Sequence, residues 1–406
     1  MNKRILILGL LFLIALQNKS LHAQVEIGGE AVFEISKGGN QSNFIYNEIP
    51  NEFRNWHPSI TQFNLFVNAL IGESFEFNGR VLFDTWGTGR LNSPRIALAS
   101  LNWIISDDLS ASFGRILSPI GLFPRRQLLS QSLFANSPLT YNYHTKISDQ
   151  RGFWGAAGTS GTAYTTDDVG TTTLNFAAYT TGASINLRLI SDAMNLELAV
   201  LAASANQSLY TNLANFAVAG RLGVSPFIFW QQGFSASYGG FMQGSGVNAI
   251  ARENRAFENY RQLTVSTDIT LAYSYFELTG EAFYSKWNVP RFTNAAGFET
   301  NAAGNLVEYS LENISGYVDF KYEPDFFTGS FIAVRYEKMI FPKYTHPTTA
   351  LKETWDTDIQ RISMAIGYKL TRGVLLKVAV SDQALSGQTW QSIDDYTFRA
   401  MIIATF

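Results

Sequence analysis

Apolar and polar residues alternate along most of the chain, in segments of about ten residues that end at polar or glycine-containing breaks. Between residues 25 and 35, Val25, Ile27 and Phe33 fall on one face, while Glu30 and Glu34 fall on the other. A repeat of two residues is that of a β-strand, because successive side chains point to opposite faces. The same repeat occurs in residues 61–71, 75–84, 263–273, 276–285 and 361–369. The pattern therefore predicts an all-β protein.

The breaks between candidate strands are alternately long and short. We count about 18 candidate strands, or 16 if one weak pair is not real. The long breaks include 37–58, 117–150, 243–262, 289–311 and 342–358, and the short ones include 72–73, 106–108, 323–325 and 371–373. Transmembrane barrels combine short periplasmic turns with long outer loops. We therefore predict a transmembrane antiparallel β-barrel of 16 or 18 strands.

One region departs from this alternation. After the sixth predicted strand, 151–158, a long break precedes the seventh, 171–180, on the side where the turns are otherwise short. The register prediction is therefore weakest across residues 159–183.

Both ends of the chain carry signals for export and assembly. Lys3 and Arg4 precede an apolar run, and cleavage after Ala23 would remove residues 1–23 as a signal peptide. Residues 24–406 then form a single barrel domain. The last strand ends on Phe406, and this resembles the terminal aromatic signature by which outer-membrane barrels are recognised during assembly. These signals predict the outer membrane of a Gram-negative bacterium, with membrane lipid and the barrel-assembly machinery as partners.

Composition excludes several other classes of protein. Hydrophobic residues make up 46% of the 406 residues and charged ones 16%, which excludes intrinsic disorder. Beyond the N-terminus, no apolar run reaches the roughly 18 residues that a membrane-spanning helix requires. The net charge of −3 gives no basic excess for binding nucleic acid. The absence of Cys excludes disulfides and thiol chemistry.

Charged residues of both signs fall on the predicted lumen face. The acids are Glu26, Glu30, Glu34, Glu76, Asp268, Glu277 and Glu281, and the bases are Arg80, Lys321, Arg335, Arg361, Lys369, Lys377 and Arg399. Opposed walls of opposite charge would create a field across the lumen. Alternatively, these groups form ion pairs that rigidify the wall, with loops filling part of the lumen.

One segment has a distinctive sequence. Residues 114–126 read GRILSPIGLFPRR, and residues 151–155, RGFWG, follow after a loop. This resembles the phosphate-selective porin O and P family, in which a strand ending in Gly-Arg/Lys runs into a Ser/Thr-Pro-Phe-Gly-Leu turn. Ile120 stands where the family has Phe. The resemblance implies a passive channel in which loop 117–150 folds into the barrel and lines a constriction, and family analogy adds a homotrimer.

Five basic residues of this region would line the constriction: Arg115, Arg125, Arg126, Lys146 and Arg151. Asp149 is the one nearby acid, and clusters of basic side chains favour anions at a constriction. Alternatively, Arg125 and Arg126 point outward and bind lipopolysaccharide phosphates.

Motifs for enzymatic or metal chemistry are weak. His57, His144 and His346 fall in predicted outer loops, without a partner at metal-ligand spacing. We therefore predict no enzymatic activity, no cofactor and no metal site. The predicted function is passive diffusion of small hydrophilic solutes, anionic or neutral, with a weak preference for anions such as phosphate. The alternatives are a loop-blocked structural or surface-binding barrel, with partners on loops 243–262 and 289–311, and a barrel hydrolase using His144.

Overall fold

Sixteen antiparallel strands close into one barrel, which confirms the predicted fold class and selects the smaller of the two predicted strand numbers. The computed structural model describes residues 23–39, 56–84, 94–147, 171–174, 178–190, 193–201, 216–241, 260–294, 297–386 and 393–406. Each barrel strand pairs with the strands that precede and follow it in the barrel, and the first strand pairs with the last.

The barrel strands are β1 (Ala23–Gly38), β2 (His57–Ile71), β3 (Phe75–Asp84), β4 (Arg95–Ile104), β5 (Leu109–Leu117), β8 (Tyr179–Leu189), β9 (Met194–Leu201), β10 (Ala217–Phe227), β11 (Trp230–Gly240), β12 (Arg261–Tyr273), β13 (Phe276–Pro290), β16 (Glu308–Tyr322), β17 (Ser330–Ile340), β20 (Asp358–Thr371), β21 (Val374–Ser386) and β22 (Ile393–Thr405). Three two-stranded sheets lie in the connections: β6 (His144–Ile147) with β7 (Thr171–Leu174), β14 (Phe292–Asn294) with β15 (Gly297–Phe298), and β18 (Tyr344–Thr345) with β19 (Lys352–Glu353).

The structure corrects the predicted strand order across residues 159–183. Strand β5 pairs directly with β8, from Leu109↔Leu187 to Leu117↔Tyr179. Of the predicted strand 171–180, Thr171–Leu174 pairs with β6 outside the barrel sheet, because four residues are too few to cross a bilayer. The predicted strand 151–158 lies outside the described residues. Residues 118–178 therefore form one connection, and the predicted long break on the short-turn side is wrong.

The two ends of the barrel differ. The end at which β1 begins and β22 ends has short connections, none longer than 323–329, and the opposite, outer end has the long ones, such as 118–178 and 341–357. This is the asymmetry of a transmembrane barrel.

The strands alternate between an apolar outer face and a polar inner face, as predicted. Val25 and Ile27 are 54% and 69% exposed on the outer face, while Glu30 and Glu34 are 0% and 3% exposed on the inner face. An apolar outer surface suits contact with lipid tails. Closure pairs the backbone polar groups of β1 with those of β22, as a bilayer requires.

Residues 118–143, which we call the inner segment, fold into the barrel. Ser118, Ile120 and Phe134 are buried, and backbone groups of the segment bond to inward-facing side chains of the wall. The segment contains a 3₁₀ turn, Phe123–Arg126, and one helical turn, Leu139–Asn142. Gly121 permits the entry turn, because its φ is 75° and a Cβ would lie 2.6 Å from Glu281 Oε2.

An aromatic cluster fills part of the outer mouth; we call it the mouth cluster. Its buried members include Tyr143, Trp287, Leu311, Phe341 and Trp355, at the outer ends of β13, β16 and β17 and in the connections. Trp355 contacts Trp287 and Phe341 edge to face, at centroid distances of 5.9 and 5.2 Å. Among the described residues, no helix has the length and apolar character needed to cross a membrane.

Candidate functional site

The carboxylate of Glu281 anchors the start of the inner segment. It accepts hydrogen bonds from the N–H groups of Leu122, at 3.1 Å, and Phe123, at 2.7 Å. The hydroxyls of Tyr141 and Tyr317 donate to it at 2.5 and 2.6 Å. Burial and the nearby carboxylate raise the pKa of Tyr141 well above its ordinary value, so its hydroxyl stays a donor. Hydrogen bonds to an ionised acceptor are the strong kind, and four of them fix this turn.

Basic side chains of the last strands hold the middle of the inner segment. Lys377 Nζ donates to the carbonyl oxygens of Leu129 and Ser132, both at 2.6 Å. Arg335 donates to Asn136 O at 3.2 Å, Arg361 to Ser137 O at 2.6 Å, and Arg399 to Asn136 Oδ1. Buried carbonyl groups need such partners.

Acidic side chains hold N–H groups of the same segment. Glu30 accepts from Ser130 N at 2.9 Å, and Glu337 accepts from Leu139 N at 2.7 Å. The wall thus places bases against carbonyls of the segment and acids against its amides.

The lumen charges also pair with each other. Arg335 pairs with Asp319, Arg361 with Glu337, Arg399 with Glu34, and Arg221 with Asp268. Lys321 lies 2.9 Å from Glu323 and 3.8 Å from Glu277. Glu76 accepts from Asn102 at 3.4 Å, while Glu26 and Lys369 are exposed near the end with short turns.

A cavity of about 430 Å³ remains between the inner segment and the wall formed by β2–β5, β8 and β9. Its charged lining residues are Arg80, Arg125 and Glu197. Arg125 pairs with Glu197 at 2.7 Å, so Arg80 alone contributes an uncompensated charge among the described lining residues.

Arg80 is only 5% exposed and is held by neutral groups. Its Nε donates to Asn64 Oδ1 at 2.8 Å, and its Nη1 donates to the Tyr179 hydroxyl. The rings of Phe66 and Tyr179 lie 5.9 and 5.7 Å from the guanidinium carbon. Aromatic faces attract a cation at this range, so the side chain is positioned without a carboxylate.

The architecture is similar to that of several solved outer-membrane proteins. OmpT, an outer membrane protein of Vibrio cholerae, matches with a TM-score of 0.55 and 10% identity over 96% of this chain and 99% of that one. An anion-selective porin from Comamonas acidovorans matches with a TM-score of 0.54 and 8% identity over 95% and 100%. OmpF of Salmonella typhi, in complex with daunomycin, matches with a TM-score of 0.52 and 12% identity over 94% and 97%. The trimer form of the Vibrio OmpT matches with a TM-score of 0.51 and 9% identity over 95% and 99%.

The chain has a porin-like fold. No family model and no curated protein matches the sequence, and the solved structures support a porin-like barrel without singling out one family of porins.

The predicted constriction residues occupy different places in this porin-like barrel. Arg125 lines the cavity. Arg126 pairs with Glu277 on another part of the wall, at 2.5 Å, and Arg115 Nε donates to Ala97 O at 2.8 Å. Lys146 lies in β6 with its side chain outside the described part of the structure, and Arg151 lies outside the described residues. The structure therefore does not bring the five together as one described cluster.

The neutral side chains of the cavity and its acid, Glu197, are not among the predicted site residues. A signal for Glu197 was available, because alternation with Leu196, Leu198 and Val200 puts it on the polar face of its strand. No sequence pattern pointed to Tyr179 as a lumen residue, because the predicted strand 171–180 was wrong and Tyr179 begins β8 instead. Within the described chain, no group of three or more His, Asp or Glu side chains is placed to hold a metal ion.

Proposed function

We propose that the protein is a passive channel of the outer membrane, through which small hydrophilic solutes diffuse. The observation that carries the proposal is the position of the inner segment. Its anchors lie mainly on β1, β13, β16, β17 and β20–β22, and a cavity with several polar side chains remains along the opposite wall. Porin-like architecture adds support.

We also propose a weak preference for anions such as phosphate. Arg80 supplies one positive charge to the cavity, whereas Arg125 and Glu197 compensate each other. A single uncompensated charge in a narrow passage favours counter-ions, since the low-dielectric walls focus its field. In this proposal Arg80, rather than the predicted five-residue cluster, carries the preference.

The test is single-channel recording in planar bilayers, followed by the reversal potential in a salt gradient. We expect steady open steps and a small anion preference, which falls in Arg80→Gln and is kept in Arg80→Lys. Lys338→Gln removes a positive charge from the exposed outer face and serves as the matched control. A folded barrel that passes no current would overturn the channel proposal.

The mouth cluster favours a second candidate, a barrel whose loops block it and bind a surface partner. It closes part of the outer mouth, and Thr348 Oγ1 joins the connections after β13 and β17 by donating to Glu299 Oε1 at 3.1 Å. The same recording decides between the two candidates, since this one predicts a closed lumen.

The remaining partners belong to the proposal as well. We infer a signal peptide over residues 1–23, assembly through the terminal Phe406, and contacts with membrane lipid and lipopolysaccharide. A homotrimer is supported by the trimer form of the Vibrio protein.

The hydrolase alternative would require a loop histidine with a free ring nitrogen beside a nucleophile. His144 lies in β6, and its side chain is outside the described part of the structure. His346 Nδ1 accepts the N–H groups of Thr348 and Thr349 and so builds a turn. Loss of hydrolase activity on changing His144 would be its test.

A further inference from the structure

The wall of the cavity carries two cross-strand rows of neutral polar side chains. Strand pairing sets Asn68 opposite Asn78 and Asn78 opposite Ser100. One step closer to the short-turn end, it sets Asn102 opposite Ser112 and Ser112 opposite Ser184. All six residues line the cavity. Residues opposite each other on neighbouring strands are about 5 Å apart, so each row is a continuous strip of donors and acceptors.

These side chains have hydrogen-bonding capacity to spare. Asn102 donates to Glu76 at 3.4 Å, while the other five make no hydrogen bond to any described residue. Amides and hydroxyls each donate and accept, which distinguishes this wall from one lined by charges. The row above them, on the outer side, holds Phe66 opposite Arg80.

We propose that this wall is a binding surface for small polyhydroxylated solutes of about monosaccharide size. The proposal rests on the channel function proposed above and names its substrate class. A hydroxyl group both donates and accepts, as do the two rows. Phe66 and Tyr179 offer apolar surface, which the C–H face of a sugar ring needs. The cavity, at about 430 Å³, lies within the ~300–1,000 Å³ typical of small-molecule sites.

A strongly charged ligand fits this wall less well. Arg125 is already neutralised by Glu197, and Arg80 is already bonded to Asn64 and Tyr179. The weak anion preference of the channel follows from one charge, whereas the solute contacts follow from the six neutral side chains of the rows.

The experiment is ligand-observed saturation-transfer NMR, with glucose as the probe and the full folded barrel in detergent. This readout tolerates weak binding and needs no working channel. The test variant is Asn68→Leu/Asn78→Leu, which keeps side-chain size. The control is Asn288→Leu, because Asn288 lies on the outward face of β13. A gel-mobility shift on heating shows that each variant has folded.

We expect saturation transfer to glucose, with an affinity that falls about five-fold for each hydrogen bond lost in the double variant. The control should bind like the parent protein. In bilayers, glucose should reduce the ion current of the parent channel in a saturable way, and this effect should weaken in the double variant.

The failures can be told apart. Ion current without glucose transfer, or saturable block by inorganic phosphate alone, would overturn the binding surface and leave the channel intact. Equal transfer in the parent and the double variant would overturn the assignment to these rows. A folded barrel without ion current would overturn the channel function itself.

Discussion

The ring of Phe406, the last residue, packs where Gly29 has no side chain, and the backbones of these two residues exchange hydrogen bonds of 2.8 and 3.1 Å. The same ring lies 6.3 Å from that of Phe63, centroid to centroid. The chain therefore ends by fitting an aromatic side chain over a glycine of the first strand, at the seam where the barrel closes.

We expect Gly29→Ala to weaken this seam. A Cβ at Gly29 would lie 2.7 Å from Phe406 Cε2 and 2.9 Å from the backbone oxygen of Asn64. Overpacking of this kind costs about 1–3 kcal/mol. Thermal unfolding followed by gel mobility would measure it. Gly280→Ala is the matched control, since its Cβ would meet nothing closer than 3.4 Å, and an equal loss in both variants would contradict the seam argument.

Lys377→Met should release the middle of the inner segment. Two carbonyl groups, those of Leu129 and Ser132, would lose their 2.6 Å partner in a buried site. Each unsatisfied buried group costs about 1–3 kcal/mol. We expect lower thermal stability and noisier single-channel current. Lys338→Met, on the exposed outer face, should change stability by less than about 0.5 kcal/mol.

We expect substitutions of Arg125 and of Glu197, which form an ion pair, to shift the ion selectivity in opposite directions. Removing the cation in Arg125→Gln leaves Glu197 uncompensated and should move the reversal potential toward cation preference. Glu197→Gln should move it toward anions, since Arg125 and Arg80 then act together. Raising the salt concentration should shrink both shifts, because mobile ions screen partly exposed charges. Shifts of the same sign would show that the pair lies off the ion path.

Trp355→Ala should open the mouth cluster. Trp355 is fully buried against Trp287 and Phe341. Loss of a buried Trp costs about 3–5 kcal/mol, and part of that loss should appear as local loosening of the outer connections. We expect faster proteolysis of those connections, and larger conductance if the cluster narrows the entrance. An unchanged rate of proteolysis would contradict the prediction that Trp355 rigidifies the outer connections.

The fold was largely predictable because lipid imposes a simple rule on each strand. Alternation placed Val25, Ile27, Glu30 and Glu34 on the faces they occupy. The rule failed at residues 171–174, which pair with His144–Ile147 outside the barrel sheet instead of forming part of a wall strand.

The interior was less predictable for a different reason. A period of two residues assigns a side chain to the lumen, but it does not show which backbone group comes to lie against it. The partner of Lys377 is a pair of carbonyls about 250 residues earlier, at sequence separations of 248 and 245. Arg125 and Arg126 are adjacent in sequence, yet they pair with acids on β9 and β13.

The anchoring of the inner segment also has a consequence for the order of folding. The segment ends at residue 143, whereas its anchors Glu281, Arg335, Arg361, Lys377 and Arg399 all come later in the chain. Contacts of such large sequence separation form slowly, because a long loop must close before they are made. A nascent chain therefore carries an inner segment for which Glu30 is already present but most anchors are still missing, so the packing of the interior is completed only when the final strands are in place.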